Sequence, residues 1–285
     1  MSIAFRFRAL CVKRVANQGL GCKKRFMVGS EENIEILRSS KLGDIPHGFL
    51  GRRGGVSTGI FASLNCSLGS DDKRDDVLEN RRRAVAAVLP GSVLSRVYQI
   101  HSADVMTVTE PIDQHNPPKA DALVTNVPGF LLAVQTADCV PVLFVETKAG
   151  VVGAAHSGWK GSIAGVTDNT ILAMEALGAD RANIACAIGP CIAQKSYEVD
   201  AAFLARFAEA DAANERFFAD GKPGHYQFDI EGYVAARLAA FGITRIECLG
   251  QDTYSQPDRY FSYRRSCHKG ENGYGGQMAL IGLPQ

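Results

Sequence analysis

The chain has 285 residues, of which 46% are hydrophobic and 21% are charged, and its 31 basic side chains nearly balance 30 acidic ones. These values are typical of globular proteins and exclude a disordered chain. A net charge of +1 provides no overall field that would attract nucleic acid or anionic lipid, so neither is expected as a partner.

Residues 1–40 are interpreted as a basic N-terminal extension that is flexible. The first 30 residues include seven Lys and Arg residues and no Asp or Glu. Such a segment also suits a transit peptide or an arm that contacts lipid or RNA. It lacks the apolar core and small-residue cleavage site of a secretory signal. A single catalytic domain is then expected over residues 41–285.

Periodicity and breakers predict a mixed series of helices and strands after residue 41. Residues 75–89 have acids in the first turn, apolar residues at helical spacing and a Pro-Gly stop, which is typical of a helix. The predicted helices cover residues 75–89, 162–177, 200–210 and 230–241. The predicted strands cover two short stretches within 41–70, then 93–100, 105–108, 121–125, 130–135, 140–146, 151–156, 184–188, 243–249 and 278–283. No linker interrupts this series, which favours one α/β domain.

Cysteine usage and hydropathy indicate a cytoplasmic protein. The eight cysteines are scattered and include no C-x-x-C pair, which does not suit a disulfide framework. The longest apolar stretch, residues 130–145, contains Gln135, Thr136 and Asp138 and is too short and polar to span a bilayer. A reducing compartment is therefore expected, with no membrane contact.

Three segments place a metal-binding side chain beside a turn at the end of an apolar strand. These side chains are His101 in YQIHS, Cys139 in TADCVP and His156 in AAHSGWKG. Two histidines and one cysteine suit a catalytic zinc site, in which three protein ligands leave one position open. Spacing alone also allows core or surface roles for all three residues.

The sequence resembles the multicopper polyphenol oxidase, or laccase-domain, family, which is also described as a family of zinc-dependent purine nucleoside phosphorylases. The resemblance runs from about Ile45 to the C-terminus. It is carried, in order, by the segments IPHGFLGRRGGVSTGIFASLNCSLGSDD, ENRRRAV, YQIHSADV, ADALVTN, TADCVPVLF, AAHSGWKGSIAGV, AIGPCIAQKSYEV and YFSYRR. It implies a single-domain layered α/β sandwich of mixed sheets flanked by helices.

The resemblance also implies an activity and a site. His101, Cys139 and His156 correspond to the family's metal ligands and are the expected catalytic residues. The expected substrate-binding residues are Arg52, Asn65 and Cys191. The implied reactions are phosphorolysis of adenosine, inosine and methylthioadenosine, and deamination of adenosine. Zinc is the expected cofactor, and copper belongs to older descriptions.

Elementary chemistry adds roles for three further side chains. Arg52 and Lys160 are candidates for binding phosphate, because charge-assisted hydrogen bonds suit its oxygens. Asp138 precedes Cys139 and is expected to support the site rather than to react, because neighbouring strand residues point to opposite faces. The pair Cys267/His268 lies where the chain departs from the family pattern, so an extra metal contact there stays open.

Three alternatives compete with the nucleoside enzyme. A copper-dependent polyphenol oxidase is disfavoured, because six histidines without an H-x-H pair are too few for four coppers. A non-enzymatic partner of the cell envelope would not require the intact ligand set. A cysteine-type hydrolase that edits cell-wall peptide precursors would use Cys139 as nucleophile and a histidine as base. A monomer or small homo-oligomer is expected in each case.

Overall fold

A computed structural model describes residues 34–285. Six α-helices lie in this part of the chain: α1 (Arg74–Val88), α2 (Trp159–Ala164), α3 (Val166–Ala176), α4 (Ala201–Ala210), α5 (Ile230–Ala240) and α6 (Tyr263–Lys269). Its strands are β1 (Ile36–Leu37), β2 (His47–Leu50), β3 (Val93–Arg96), β4 (Val105–Thr107), β5 (Ala122–Thr125), β6 (Phe130–Thr136), β7 (Val140–Glu146), β8 (Val151–Ser157), β9 (Ala185–Ile188), β10 (Glu198–Asp200), β11 (Phe218–Asp220), β12 (His225–Phe228), β13 (Arg245–Cys248) and β14 (Gln277–Gly282).

The strands form three sheets, two of them large and mixed. The five-stranded sheet has the order β1-β2-β14-β6-β3, and the six-stranded sheet has the order β13-β9-β7-β8-β5-β4. Parallel pairing occurs between β3 and β6, β4 and β5, and β9 and β13, and the other pairs are antiparallel. A small antiparallel sheet has the order β10-β12-β11.

The two large sheets pack face to face, with helices on both outer sides. Alternation along β6 directs Leu132 and Val134 into the layer between the sheets, whereas Leu131 and Ala133 face α1. The outer face of the six-stranded sheet packs against α3 and α5, as shown by the buried contacts around Ile171. The structure therefore confirms the predicted layered α/β sandwich of mixed sheets flanked by helices.

Most predicted elements of the central chain are present. The hairpin of β7 and β8 turns at residues 147–150, where Gly150 has a φ of +65° and Glu146 accepts hydrogen bonds from two turn N–H groups. Helices α1, α4 and α5 lie within one residue of their predicted bounds. The predicted helix 162–177 is wrong as a single element. Gly165, with a φ of +94°, ends α2 and begins α3.

Four further features of the fold differ from the sequence prediction. Of the two short strands predicted within residues 41–70, only β2 is present in the structure. The sequence predicts no strand at β10, β11 or β12, because three or four residues are too short to show a clear period. Helix α6 lies where the sequence predicts no element, and its N-cap Ser262 accepts a hydrogen bond from the N–H of Arg265. The predicted strand 93–100 ends at Arg96.

Residues 34–40, which the sequence assigns to the extension, are integrated into the domain. Strand β1 pairs with β2, so that Ile36 lies opposite Leu50. The Oγ of Ser39 donates to Glu247 at 2.5 Å, and Glu35 forms a 2.6 Å salt bridge with Arg259. The rest of the predicted extension lies outside the described residues.

These contacts predict where the chain can be shortened. A protein that starts at residue 31 is expected to keep the melting temperature of the full chain. A protein that starts at residue 41 loses β1 and its polar contacts, worth about 3 kcal/mol, which lowers the melting temperature by roughly 6–12 °C. Differential scanning calorimetry of the two proteins measures both values. Equal melting temperatures would show that residues 31–40 contribute nothing to stability.

Candidate metal centre and its cavity

Three chain segments bring His101, Cys139 and His156 together at one edge of the two large sheets. His101 lies in the loop after β3, Cys139 lies between β6 and β7, and His156 lies near the end of β8. One ligand atom from each residue lies within 4.8 Å of the other two. The Sγ of Cys139 is 3.7 Å from the Nε2 of His101. The structure thus brings together all three residues that the sequence analysis proposed as metal ligands.

The donor set fits a zinc ion. Tetrahedral zinc with ordinary Zn–N and Zn–S lengths separates a nitrogen and a sulfur ligand by roughly 3.6 Å, close to the 3.7 Å between His101 and Cys139. His101 is exposed, Cys139 is partly exposed and His156 is buried. The cluster therefore has one open side, which a catalytic metal site needs for a fourth ligand.

Asp121 holds two of these segments in place, and sequence reasoning did not identify it. Its fully buried carboxylate accepts hydrogen bonds from the N–H groups of Ile100, His101 and Ser102. It also accepts one from the Nδ1 of His156 at 2.8 Å. That bond leaves the Nε2 of His156 free to face the cluster. A carboxylate that orients a metal-binding histidine in this way is a common feature of metal sites.

The backbone of His101 adopts a conformation that non-glycine residues rarely adopt. Its φ is +61°, in the left-handed region. The three consecutive N–H groups that converge on Asp121 stabilise this turn and direct the imidazole toward Cys139. Strain of this kind persists where surrounding contacts determine the conformation, and it concentrates at functional sites.

Gly158 leaves the space in which the cluster forms. A Cβ at this position would lie 2.4 Å from the Cδ2 of His101 and 3.1 Å from the Sγ of Cys139. The backbone of Gly158 is extended, with a φ of −69°, so any residue could adopt it. The absence of a side chain, rather than backbone freedom, is what this position requires.

Asp138 has a supporting role, as its position beside Cys139 suggests. Its carboxylate accepts hydrogen bonds from the hydroxyls of Thr253 and Ser262 and from the N–H of Arg264. Burial raises the pKa of Asp138 against the lowering effect of these bonds. The residue thereby attaches the start of α6 to the turn that carries Cys139.

The side chains of the cluster favour a thiolate beside a charged imidazole, and metal binding by His156 requires release of the imidazole proton. Burial acts to raise the pKa of Cys139, but the charge of His156 and a hydrogen bond from His101 outweigh it and hold the value at about 6. For His156, burial acts to lower the pKa, but Cys139 and Asp121 raise it to about 9. For Asp121, hydrogen bonds from His156 and Ser102 overcome burial and hold the pKa at about 2. A thiolate at neutral pH is the form that binds metals.

A cavity of about 590 Å³ opens beside the cluster. The cluster contributes His101 and Cys139, and the rest of the wall comes largely from β10, α4, β12 and α6. The wall includes four aromatic and three basic side chains: Trp159, Tyr197, Phe203, Tyr263, Arg206, His225 and Arg264. Sequence reasoning assigned none of these seven to the site, because they come from short elements that it did not predict or from apolar helix faces.

The expected substrate-binding residues lie outside this wall. Arg52 lines a second cavity of about 250 Å³, and its guanidinium donates to the carbonyls of Ala62, Pro257 and Ile60. Lys160 is exposed, with its Nζ 5.5 Å from the ring centroid of Trp159.

Asn65 and Cys191 are buried away from the cavity. Asn65 is 0% exposed and accepts hydrogen bonds from the N–H groups of Ser67 and Gly276, so it connects two loops. Cys191 is 2% exposed within the core, and burial raises the pKa of its thiol. In this structure, Asn65 is fully hydrogen-bonded within the protein and neither residue lines the cavity.

Cys267 and His268 do not add a further contact to the metal-binding group of the described residues. The Nδ1 of His268 lies 2.9 Å from the hydroxyl of Tyr254, and both Cys267 and His268 are exposed on α6. The metal-binding group in the described part of the chain consists of His101, Cys139 and His156.

No helix among residues 34–285 is long and apolar enough to cross a membrane.

Comparisons of the sequence with a family model and with known proteins indicate the same family. A model described as multi-copper polyphenol oxidoreductase laccase matches residues 46–284. A purine nucleoside phosphorylase of Deinococcus radiodurans is 37% identical over 254 residues, which cover 88% of this chain and 94% of that protein. The purine nucleoside phosphorylase YfiH of Escherichia coli is 37% identical over 219 residues, covering 75% of this chain and 86% of that protein.

Solved structures share the fold over nearly the same length. YlmD from Geobacillus stearothermophilus superposes with a TM-score of 0.79 at 30% identity and covers 88% of this chain and 96% of its own. A Neisseria meningitidis protein gives a TM-score of 0.80 at 28% identity and covers 89% of this chain. From the extent of these matches, the chain belongs to the multi-copper polyphenol oxidoreductase laccase family, similar members of which are named purine nucleoside phosphorylases.

Proposed function

We propose that the protein is a zinc-dependent purine nucleoside phosphorylase. The observation that carries this proposal is the cluster of His101, Cys139 and His156 at the wall of a 590 Å³ cavity. That volume lies within the range of about 300–1,000 Å³ that small-molecule sites occupy. Relatives at 37% identity carry the same functional name, which supports a purine nucleoside and phosphate as substrates.

Zinc suits this donor set better than the copper of the family's older description. Two imidazoles and a thiolate with one open side match catalytic zinc sites. A multicopper oxidase needs several clustered copper sites. The described part of the chain contains one such group of ligands. When bound by His101, Cys139 and His156, zinc would supply Lewis acidity and lower the pKa of a water molecule.

The chain's own residues orient the metal ligands and supply an apolar wall for the substrate. Asp121 fixes which nitrogen of His156 faces the cluster. The half-buried rings of Trp159 and Tyr197, with the buried ring of Phe203, form an apolar wall against which a purine can pack. Residues His101, Cys139 and His156 are thus proposed as catalytic residues as well as ligands.

The proposed substrates are adenosine, inosine and methylthioadenosine, and deamination of adenosine is proposed as a second reaction. Both reactions need a nucleoside beside the open side of the cluster. Cys139 is partly exposed there, and Gly158 presents no side chain. Cytoplasmic location and a monomer or small homo-oligomer remain predictions.

One observation favours a second candidate, a cysteine-type hydrolase acting on cell-wall peptide precursors. Cys139 lies 3.7 Å from His101, and His156 is oriented by Asp121. A thiolate with a pKa of about 6 beside an oriented histidine also suits a nucleophile. Metal content and product analysis separate this candidate from the phosphorylase.

We expect one zinc per chain, bound through Cys139. The substitution Cys139→Ala removes the only sulfur ligand of the cluster and should lower zinc content to a small fraction of one per chain. Elemental analysis of purified wild type and variant measures this. Cys267→Ala is the matched control, because that thiol is exposed on α6, and it should retain full zinc content. Equal zinc in wild type and Cys139→Ala would remove Cys139 from the ligand set.

The variant Gly158→Ala should impair the cluster without unfolding the domain. Its new Cβ would overlap the imidazole of His101 and press on Cys139, whereas its backbone needs no change. We expect the zinc dissociation constant to rise about ten- to a hundredfold, in line with other disturbances of ligand orientation. Chelator competition measures that constant, and circular dichroism reports the fold. Gly69→Ala is the control, because its Cβ would meet only a distant hydroxyl. A zinc affinity unchanged in Gly158→Ala would contradict the placement of His101.

Product analysis tests the reaction itself. With phosphate, adenosine should yield adenine and ribose 1-phosphate, and without phosphate some inosine should form. Chromatography of both reactions, with the Cys139→Ala variant as control, identifies the products. Release of an amino acid from a peptide-like substrate, with adenosine untouched, would instead establish the cysteine hydrolase.

A further inference from the structure

We infer that Arg264 binds the phosphate co-substrate. This inference rests on the proposed phosphorylase function and assigns the anion to the main cavity rather than to the neighbouring cavity that contains Arg52.

The backbone position of Arg264 is fixed relative to the metal cluster. Its N–H donates to the carboxylate of Asp138 at 2.7 Å, and Asp138 directly precedes Cys139. Its guanidinium carbon lies 5.2 Å from the ring centroid of Tyr197, and both side chains line the cavity. Arg264 is therefore a rigidly attached cation in the same cavity as the cluster.

Arg264 also retains unused hydrogen-bond donors. One of its five side-chain N–H groups donates to the carbonyl of Glu198 at 2.7 Å. No carboxylate among the described residues lies within salt-bridge distance of it. A guanidinium group with two free adjacent N–H groups can donate two parallel hydrogen bonds to two oxygens of one phosphate.

The acids of this cavity already have partners. Asp138 accepts three hydrogen bonds from Thr253, Ser262 and Arg264. Glu198 pairs with Lys222, and Asp200 caps α4. These contacts reduce the repulsion that an incoming anion would meet. The second arginine of the wall, Arg206, is exposed above the ring of Trp159 and would attract anions toward the mouth of the cavity.

The arginines of the neighbouring cavity are bonded differently. Arg52 donates to three backbone carbonyls, and Arg265 donates to the carbonyls of Thr253, Tyr254 and Tyr260. Both guanidinium groups thereby connect loops. Their cavity lacks every ligand of the metal cluster. A phosphate bound there would not share a cavity with a nucleoside beside Cys139.

The test compares Arg264→Gln with Arg52→Gln, and uses Arg216→Gln as a surface control. Two quantities are measured for each protein: the dissociation constant of inorganic phosphate by equilibrium dialysis, and the KM for phosphate in adenosine phosphorolysis. We expect Arg264→Gln to raise both about ten- to a hundredfold, the effect of losing charge-assisted contacts. Zinc content, melting temperature and the KM for adenosine should change little. Arg264→Lys, which keeps the charge, should recover part of the affinity.

The measurements of phosphate binding and of phosphorolysis distinguish failure of this inference from failure of the proposed function. Phosphate binding that is unchanged in Arg264→Gln, or lost in Arg52→Gln alone, overturns the assignment to Arg264. Failure of the wild-type protein to bind phosphate overturns it as well. Phosphate binding that depends on Arg264 without any phosphorolysis would retain the anion site and overturn the phosphorylase function.

Discussion

Hydrogen bonds to one buried carboxylate, that of Asp121, join the two segments that carry His101 and His156. The N–H groups of residues 100–102 and the Nδ1 of His156 all donate to it. Without these bonds, the left-handed turn at His101 would lose its stabilisation, and neither imidazole would be held toward Cys139. A fully buried carboxylate is costly unless several donors satisfy it, so the cluster and the surrounding packing depend on each other.

The site combines buried strands of the two large sheets with short elements that form the cavity wall. The cluster is attached to β6, β7 and β8, which are buried strands of the two large sheets. The cavity wall comes mainly from short elements around β10, α4 and α6. Asp138 connects the two parts, because it lies beside Cys139 and accepts a hydrogen bond from the N–H of Arg264. A fixed metal cluster with a separately built wall allows substrate choice to change without loss of the cluster.

The sequence predicts the layered fold and the ligand set better than it predicts the cavity. Cys139 and His156 lie beside strand ends, which is a local signal, whereas His101 lies in the loop after β3, five residues beyond the end of that strand. The family resemblance adds the same three positions. Arg264 and Trp159 lie in the cavity only because segments distant in sequence fold against each other, and local periodicity does not report such contacts. The sequence offers one signal for Asp121, because this acid directly precedes the apolar run of residues 122–124.

The central position of β14 determines when the protein can fold. This strand is the last in chain order, yet it lies between β2 and β6 and pairs with both. During synthesis, β2 and β6 leave the ribosome with unpaired edges and stay so until β14 follows. Sheets that depend on such long-range pairing fold slowly and expose strands that aggregate. We therefore expect the five-stranded sheet to be completed only after synthesis of residues 277–282, so that β2 and β6 each expose one unpaired edge until then.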